Sequence, residues 1–154
     1  MIERMNKPIE FIAHVRETDR QARQSLESHL RGVGSLSGQF ADKLGLPKHG
    51  KAIGLLHDLG KYSIDFQHYI LSATGLLNQD EDEEYVDAKG LKGKIDHSTS
   101  GAQLVWSALS AQGQKGHFAG QVLALCIASH HSGLIDCLSL SDKTAALDNF
   151  SKRM

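Results

Sequence analysis

A histidine and an aspartate stand side by side at positions 57 and 58, in the stretch Gly-Leu-Leu-His-Asp-Leu-Gly-Lys. Imidazole and carboxylate together suit a divalent cation of borderline hardness. The preceding apolar residues predict a helix that ends near Leu59, and the carbonyl end of a helix carries partial negative charge that favours a cation. Gly60 would let the chain turn sharply, so that Lys61 could swing back over His57 and Asp58.

Four further histidines lie at the ends or on the apolar face of three other predicted helices. His130 and His131 end the fifth helix, His97 stands just before the fourth, and His29 lies on the apolar face of the first. Each has a simpler interpretation: a core histidine for His29, the neighbour of a helix cap for His97, and helix-end charge partners for the pair. The set as a whole favours a metal centre, because burying that many imidazoles without partners would be costly.

Helical periodicity dominates the chain. Apolar residues recur at intervals of three and four from Leu26 to Leu44 on one predicted face, and Gly45 and Pro47 separate this helix from the next. The predicted helices span about 19–44, 47–59, 63–73, 98–112 and 117–131, with a last amphipathic piece at 143–150. Residues 113–116 are predicted as a turn and 74–95 as an exposed, mobile loop. No period-two run is long enough for a sheet, so the predicted fold class is all-α.

Composition limits the classes of protein to which the chain can belong. Its 154 residues are 40% hydrophobic and 23% charged, which is ordinary for one soluble globular domain. The longest apolar run, Val122–Ala128, is far shorter than the roughly 20 residues of a membrane span. Six acids lie at 80–87, and the remainder carries 17 basic against 12 acidic residues, a balance compatible with a polyanionic partner. The two cysteines form no CxxC pair and charges interrupt the N-terminal stretch, so the expected compartment is the cytoplasm.

Four ordered motifs carry a resemblance to a known family. They are Ser-Leu-Glu-Ser-His-Leu at 25–30, His-Asp-Leu-Gly-Lys at 57–61, Asp-His-Ser-Thr-Ser-Gly-Ala at 96–102 and Ser-His-His-Ser-Gly-Leu at 129–134. Together they resemble the HD phosphohydrolase superfamily and, more narrowly, the HD nuclease domain of the CRISPR-associated helicase-nuclease of type I systems. The resemblance covers roughly residues 8–135 and implies an HD-domain bundle of about five to seven helices.

The resemblance also implies a role for each matched residue. The implied metal ligands are His29, His57, Asp58, His97, His130 and His131, and the implied catalytic residues are Lys61 and Asp58. Asp58 would bridge a first ion, held with His29 and His57, to a second ion, and Lys61 would contact phosphate or metal-bound solvent. A histidine-rich set favours Mn, Fe, Co or Ni over Mg, because imidazole is a poor ligand for magnesium.

A nuclease of this family would hydrolyse phosphodiester bonds of single-stranded DNA with a metal-activated hydroxide, in type I CRISPR interference. The resemblance implies a helicase domain in the same longer polypeptide, an RNA-guided surveillance complex as partner, and no membrane. Two other functions stay open. A phosphohydrolase acting on nucleotides or cyclic nucleotides would have an enclosed pocket, and a non-catalytic helical binding module would hold no tightly bound metal.

The chain departs from the family pattern at one ligand. In the family a further aspartate, from a helix tens of residues after the His-His pair, completes the first metal site. Asp136, Asp142 and Asp148 follow His131, but none fits that pattern. Residues 1–154 are therefore expected to be an HD nuclease domain that is the N-terminal, C-terminally incomplete piece of a longer helicase-nuclease.

Overall fold

The computed structural model describes residues 10–16, 18, 22–131, 133–134, 150 and 153–154. In chain order its elements are β1 (Ile12–Val15), β2 (Arg23–Ser25), α1 (Leu26–Asp42), α2 (Pro47–Leu56), a 3-10 helix (Leu59–Tyr62), α3 (Ile64–Ala73), α4 (Thr99–Leu109) and α5 (Gly113–Ala128). The predicted, mostly helical fold class is confirmed, with one small sheet in addition. None of the helices in the described part of the chain combines the length and the apolar character that a membrane span requires.

The chain divides into two compact units. The first unit comprises Met1–His29 and Lys61–Ile95, and the second comprises Leu30–Gly60 and Asp96–Met154. Asp136, Asp142 and Asp148 lie outside the described residues, as does the predicted amphipathic piece apart from its last residue.

A short antiparallel sheet opens the first unit. Ile12 of β1 lies opposite Ser25 of β2, and the register is irregular between Ile12 and His14. The predicted start of the first helix, near residue 19, is wrong: residues 23–25 form a strand, and α1 begins at Leu26. Pairing with β1 supplies hydrogen-bond partners to this segment, and helical periodicity cannot reveal such a distant partner.

A buried glutamine joins α3 to β1. Gln67 accepts from the Ile12 N–H at 2.9 Å and donates to the Ile12 carbonyl at 3.0 Å. The same amide donates to the carbonyl of Lys61 at 2.7 Å. The Ser63 hydroxyl caps α3 by accepting from the Phe66 N–H at 3.3 Å, so the predicted helix over 63–73 is confirmed. Gln67 therefore holds the backbone that carries Lys61.

Residues 74–95 form a series of turns, as the sequence predicts for a loop. Local hydrogen bonds organise it: the Asn78 N–H donates to the Asp82 carboxylate at 2.6 Å, and the Val86 N–H donates to the Ser72 hydroxyl at 3.0 Å. Side chains thus stabilise the acidic stretch locally. Its mobility stays a prediction.

The core of the second unit lies between α4 and α5. Its buried residues are Ala102, Val105, Leu123, Ala124, Ile127, Ala128 and Phe150. Ile53 and Leu56 of α2 pack against this cluster and are partly buried. The end of α2 therefore lies beside the two helices that carry the later histidine motifs.

The turn between α4 and α5 lies at 110–112 and not at the predicted 113–116, because α4 ends at Leu109 and α5 begins at Gly113. Gly113 has a φ of 72°, which suits glycine. A Cβ on Gly116 would lie 2.6 Å from the carbonyl oxygen of Leu109. Gly116 thus serves the close approach of the two helices, and tertiary packing overrides its low helix propensity.

The packing face of α1 agrees with the predicted one at Leu26 and Leu30, which are buried, but differs further along the helix. Leu36, Phe40 and Leu44, which the sequence assigns to the apolar face, are 50%, 60% and 78% exposed. The contact with α2 is made of small residues instead: a Cβ on Gly54 would lie 2.7 Å from the Cα of Gly34. Counting apolar side chains misses this face, because glycines let the two backbones touch.

Candidate metal centre

The end of α2 presents His57 and Asp58. His57 caps the helix, and its N–H donates to the Ile53 carbonyl at 2.9 Å. The ring Nδ1 lies 2.8 Å from the Gly54 carbonyl oxygen. A carbonyl can only accept, so Nδ1 carries the proton and Nε2 of the neutral ring carries a lone pair. That Nε2 lies 3.1 Å from Oδ2 of Asp58, whose side chain is buried.

The end of α5 repeats this arrangement. The helix ends at Ala128, three residues earlier than predicted, and Ser129 is its C-cap. His130 follows, and its Nδ1–H donates to the Ile127 carbonyl at 2.7 Å. The His130 Nε2 therefore also carries a lone pair in the neutral ring. His131 comes next, with a side chain that is 58% exposed.

His97 immediately precedes α4, and its neighbours hold its backbone. Asp96 Oδ1 accepts from the N–H groups of Ser98 and Thr99, both at 3.0 Å, and the Thr99 hydroxyl donates to the other oxygen. Burial raises the pKa of Asp96, but the hydrogen bonds from Thr99 and Ser98 outweigh it and hold the pKa below its ordinary value. On the other side, the Gly60 N–H donates to the His97 carbonyl at 3.1 Å.

The sequence does not predict the roles of two of these neighbours. Asp96 has no predicted role, although an aspartate just before a helical pattern is a typical capping signal. The sequence predicts a sharp turn at Gly60. Gly60 lies instead within the 3-10 helix Leu59–Tyr62, and the positive φ values among the described glycines occur elsewhere.

Four potential ligand atoms converge within the second unit. Asp58 Oδ1 lies 3.2 Å from His130 Nε2, 3.6 Å from His97 Nε2 and 3.9 Å from His131 Nε2. The Nε2 atoms of His97 and His131 are 2.7 Å apart. Two ligands that each lie about 2.0–2.2 Å from one ion can be no more than about 4.4 Å apart. Every one of these separations meets that limit.

The chemistry of this donor set fits a cation. When their rings are neutral, His57 and His130 both direct lone pairs towards the carboxylate of Asp58, which is itself an acceptor. At 2.7 Å, His97 and His131 have room for one shared proton between their Nε2 atoms. A cation would attract the lone pairs that face one another in both places. Imidazoles whose second nitrogen donates to a carbonyl are also typical metal ligands. Asp58, His97, His130 and His131 therefore form a candidate metal site.

The structure places two predicted site residues in the first unit. The His29 ring makes an edge-to-face contact with His14, with centroids 4.8 Å apart. Lys61 is 5% exposed, and its Nζ donates to the Ala13 carbonyl at 3.4 Å and lies 5.5 Å from the centre of the Phe66 ring. The roles of His29 as a metal ligand and of Lys61 in catalysis stay predictions.

Comparison with known proteins identifies the family. A family model described as Cas3, HD domain, matches residues 4–151. A search of curated proteins finds no match. The match includes all four motifs on which the predicted resemblance depends, and the Asp58 cluster supplies a site of the kind that a metal-dependent HD domain requires. The chain therefore belongs to the Cas3 HD-domain family, a family of metal-dependent hydrolases of the CRISPR nuclease machinery.

Proposed function

We propose that this chain is a nuclease that hydrolyses phosphodiester bonds of single-stranded DNA in type I CRISPR interference. The observation that carries the proposal is the convergence of Asp58, His97, His130 and His131 in a Cas3 HD domain. Family membership supports a nucleic acid as the substrate. The preference for a single strand rests on the motif resemblance.

The residues of the cluster would divide the binding of metal between them. Oδ1 of Asp58 faces His97, His130 and His131, whereas Oδ2 faces His57. This division supports Asp58 as the bridge between two ions, the first of them held with His57 and His29. A divalent ion bound in such a site polarises a phosphodiester and activates water for its hydrolysis.

The donor set also bears on the choice of metal. Three of the four clustered ligand atoms are imidazole nitrogens, which suit Mn, Fe, Co or Ni better than Mg. The carbonyl bonds of His57 and His130 support ligation, because they keep the proton on Nδ1 and leave Nε2 to face the carboxylate. We propose one or two such ions, with Mg as a weaker substitute.

The exposure of the cluster favours a polymer over a single nucleotide. The Asp58 side chain is 4% exposed and the His131 side chain is 58% exposed. The cluster is therefore buried at its carboxylate and open to solvent at one imidazole. A phosphohydrolase that enclosed one nucleotide would be expected to bury its ligands on all sides. Lys61 is proposed to contact the phosphate of the bound strand.

The proposed setting follows from the family resemblance. A helicase domain in the same longer polypeptide would supply the single strand, and an RNA-guided surveillance complex would recruit it to DNA in the cytoplasm. Within this arrangement, residues 1–154 form the HD nuclease domain.

Asp58→Ala tests the proposed function. The variant should keep its helical circular dichroism but lose metal-dependent cleavage of single-stranded DNA by roughly 100-fold or more, since losing even an indirect partner of a metal site commonly costs 10- to 100-fold. The assay compares single- and double-stranded oligonucleotides and cyclic nucleotides in Mn, Ni, Co and Mg.

Asp80→Ala provides the matched control, because Asp80 is an exposed aspartate of the acidic loop. It should cut like the parent. If Asp58→Ala cut as fast as the parent in any of the metals, the cluster would not be the catalytic centre. Faster hydrolysis of cyclic nucleotides than of DNA would favour the phosphohydrolase alternative.

A further inference from the structure

Gly60 lies against the backbone of His97, a contact that leaves no room for a side chain. A Cβ built on Gly60 would lie 2.6 Å from the His97 Cα and 2.7 Å from the His97 carbonyl oxygen. The Gly60 N–H donates to that same oxygen at 3.1 Å. Both atoms that a Cβ would meet are backbone, so they cannot move aside as the end of a flexible side chain could.

A second glycine, Gly101, lies four residues after His97 and makes a similarly close contact. A Cβ on Gly101, in the first turn of α4, would lie 1.9 Å from the Leu56 carbonyl oxygen and 3.3 Å from Cγ2 of Ile127. Leu56 directly precedes His57, and Ile127 accepts the Nδ1–H bond of His130. The start of α4 is therefore packed without clearance against both helix ends that carry the other histidines.

We infer that Gly60 is a positioning residue for the metal centre, a role that rests on the proposed metal site. Gly60 follows Asp58 by two residues and holds His97, so it sets the separation between these two ligands. An alanine at position 60 would have to push the His97 backbone away by roughly 1 Å to reach ordinary contact. Functional sites tolerate displacements of only about 0.5 Å.

Gly101 makes this displacement hard to avoid. Because the first turn of α4 already touches the Leu56 carbonyl, α4 cannot slide along α2 to make room for a methyl group at position 60. The strain should then appear in the local path of residues 96–98, and so in the position of the His97 ring. The ring's Nε2 lies 2.7 Å from His131 and 3.6 Å from Asp58, separations that such a shift would disturb.

The test compares Gly60→Ala with Gly32→Ala, whose Cβ would have no neighbour within 4 Å. Isothermal titration of metal-free protein with Mn²⁺ should show at least tenfold weaker binding for Gly60→Ala and unchanged binding for Gly32→Ala. Circular dichroism should show that both variants keep their helices. Long-range ¹H–¹⁵N correlation spectra of the metal-free protein should show shifted His97 and His131 ring signals in Gly60→Ala alone.

Each outcome decides the proposal. Unchanged Mn²⁺ affinity with unshifted ring signals would overturn it, and so would a Gly60→Ala chain that loses its helices, because the glycine would then serve the fold in general. If the parent chain bound no Mn²⁺, the proposed metal centre would fail. The ring signals would still show whether Gly60 positions His97.

Discussion

His57 and His130 share one local arrangement, in which the ring Nδ1–H donates to the carbonyl three residues earlier. Both carbonyls belong to the last turn of a helix. The ring N–H adds a donor to each of them, and the helix in return sets the tautomer and the direction of Nε2. At each of the two positions the end of the helix thus fixes which ring nitrogen is left without a proton.

Asp96 makes a comparable contribution at the start of α4, where its carboxylate accepts the backbone N–H bonds of Ser98 and Thr99. Asp96→Ala is expected to lower the free energy of unfolding by about 1 kcal/mol, the usual cost of losing a side chain that accepts from the N–H groups at a helix start. Urea denaturation at pH 7 measures the loss, and Asp80→Ala controls for removal of an exposed carboxylate. Equal stability of the two variants would contradict the capping role.

The pH dependence of this contribution follows from the lowered pKa of Asp96. A carboxyl whose pKa is lower in the folded state stabilises the protein above its unfolded pKa of about 3.9. That stabilisation is lost as the pH falls through the lower, folded pKa. The stability difference between the parent and Asp96→Ala should therefore persist from pH 7 to pH 5 and shrink in stronger acid. A difference that grew with acidity would show the opposite shift.

Residue types and their positions beside predicted helix ends were enough to select Asp58, His97, His130 and His131, which the structure brings together. The protonation of each ring could not be predicted, because it depends on which carbonyl lies beside Nδ1. The part played by Gly60 was also hidden. A glycine in a sequence does not reveal whether it serves a turn or a close contact.

At the scale of elements, α1 and α2 touch through glycines, and this predicts opposite effects for two similar substitutions. Gly54→Ala would place a Cβ 2.7 Å from the Gly34 Cα and from the Val33 carbonyl oxygen. It should lower the free energy of unfolding by roughly 1–3 kcal/mol through overpacking. Gly32→Ala, on the open side of α1, should raise it by up to about 1 kcal/mol, because alanine is the better helix former.

Urea denaturation of both variants measures these changes. Helix propensity acts in the same direction at the two positions, so an opposite sign isolates the contact between the helices. Stabilisation by Gly54→Ala would mean that α1 and α2 do not approach closely at this point.

Within the described residues, the order and number of the long helices could be predicted from periodicity and from glycine and proline positions, but the residues at which they begin and end were harder to predict. The strand at 23–25 depends on a partner at 12–15, and the early start of α5 depends on contact between Gly116 and Leu109. The predicted burial of Leu36, Phe40 and Leu44 was wrong for a related reason, whereas Leu26 and Leu30 are buried as predicted. Hydrophobicity measures what a side chain gains by burial, whereas Gly34 and Gly54 pack through the backbone.

At the scale of the whole molecule, the family match extends over both compact units, whereas the four clustered ligands lie in one of them. The second unit therefore contains a candidate metal site of its own. His29 and Lys61, assigned by resemblance, belong to the first unit. The spacing of histidines along the chain could not predict this division, because it depends on long-range packing.

The clustered ligands also lie far apart along the chain. Asp58 and His130 are separated by 72 positions, and His97 and His131 by 34. An ion held by all four would act as a cross-link that closes two long loops, so its binding energy would add to the stability of the fold. At 100 times its dissociation constant, a ligand that binds only the folded state stabilises it by about 2.7 kcal/mol.

Amide hydrogen exchange would make this cross-link visible. Mn²⁺ should slow exchange throughout the cores of α4 and α5 and raise the melting temperature, and a chelator should reverse both effects. Asp58→Ala should respond to neither addition. If Mn²⁺ protected from exchange only the amides beside the ligands, the ion would stabilise the site alone. Protection of amides along both helices would show that the ion stabilises distant parts of the chain together.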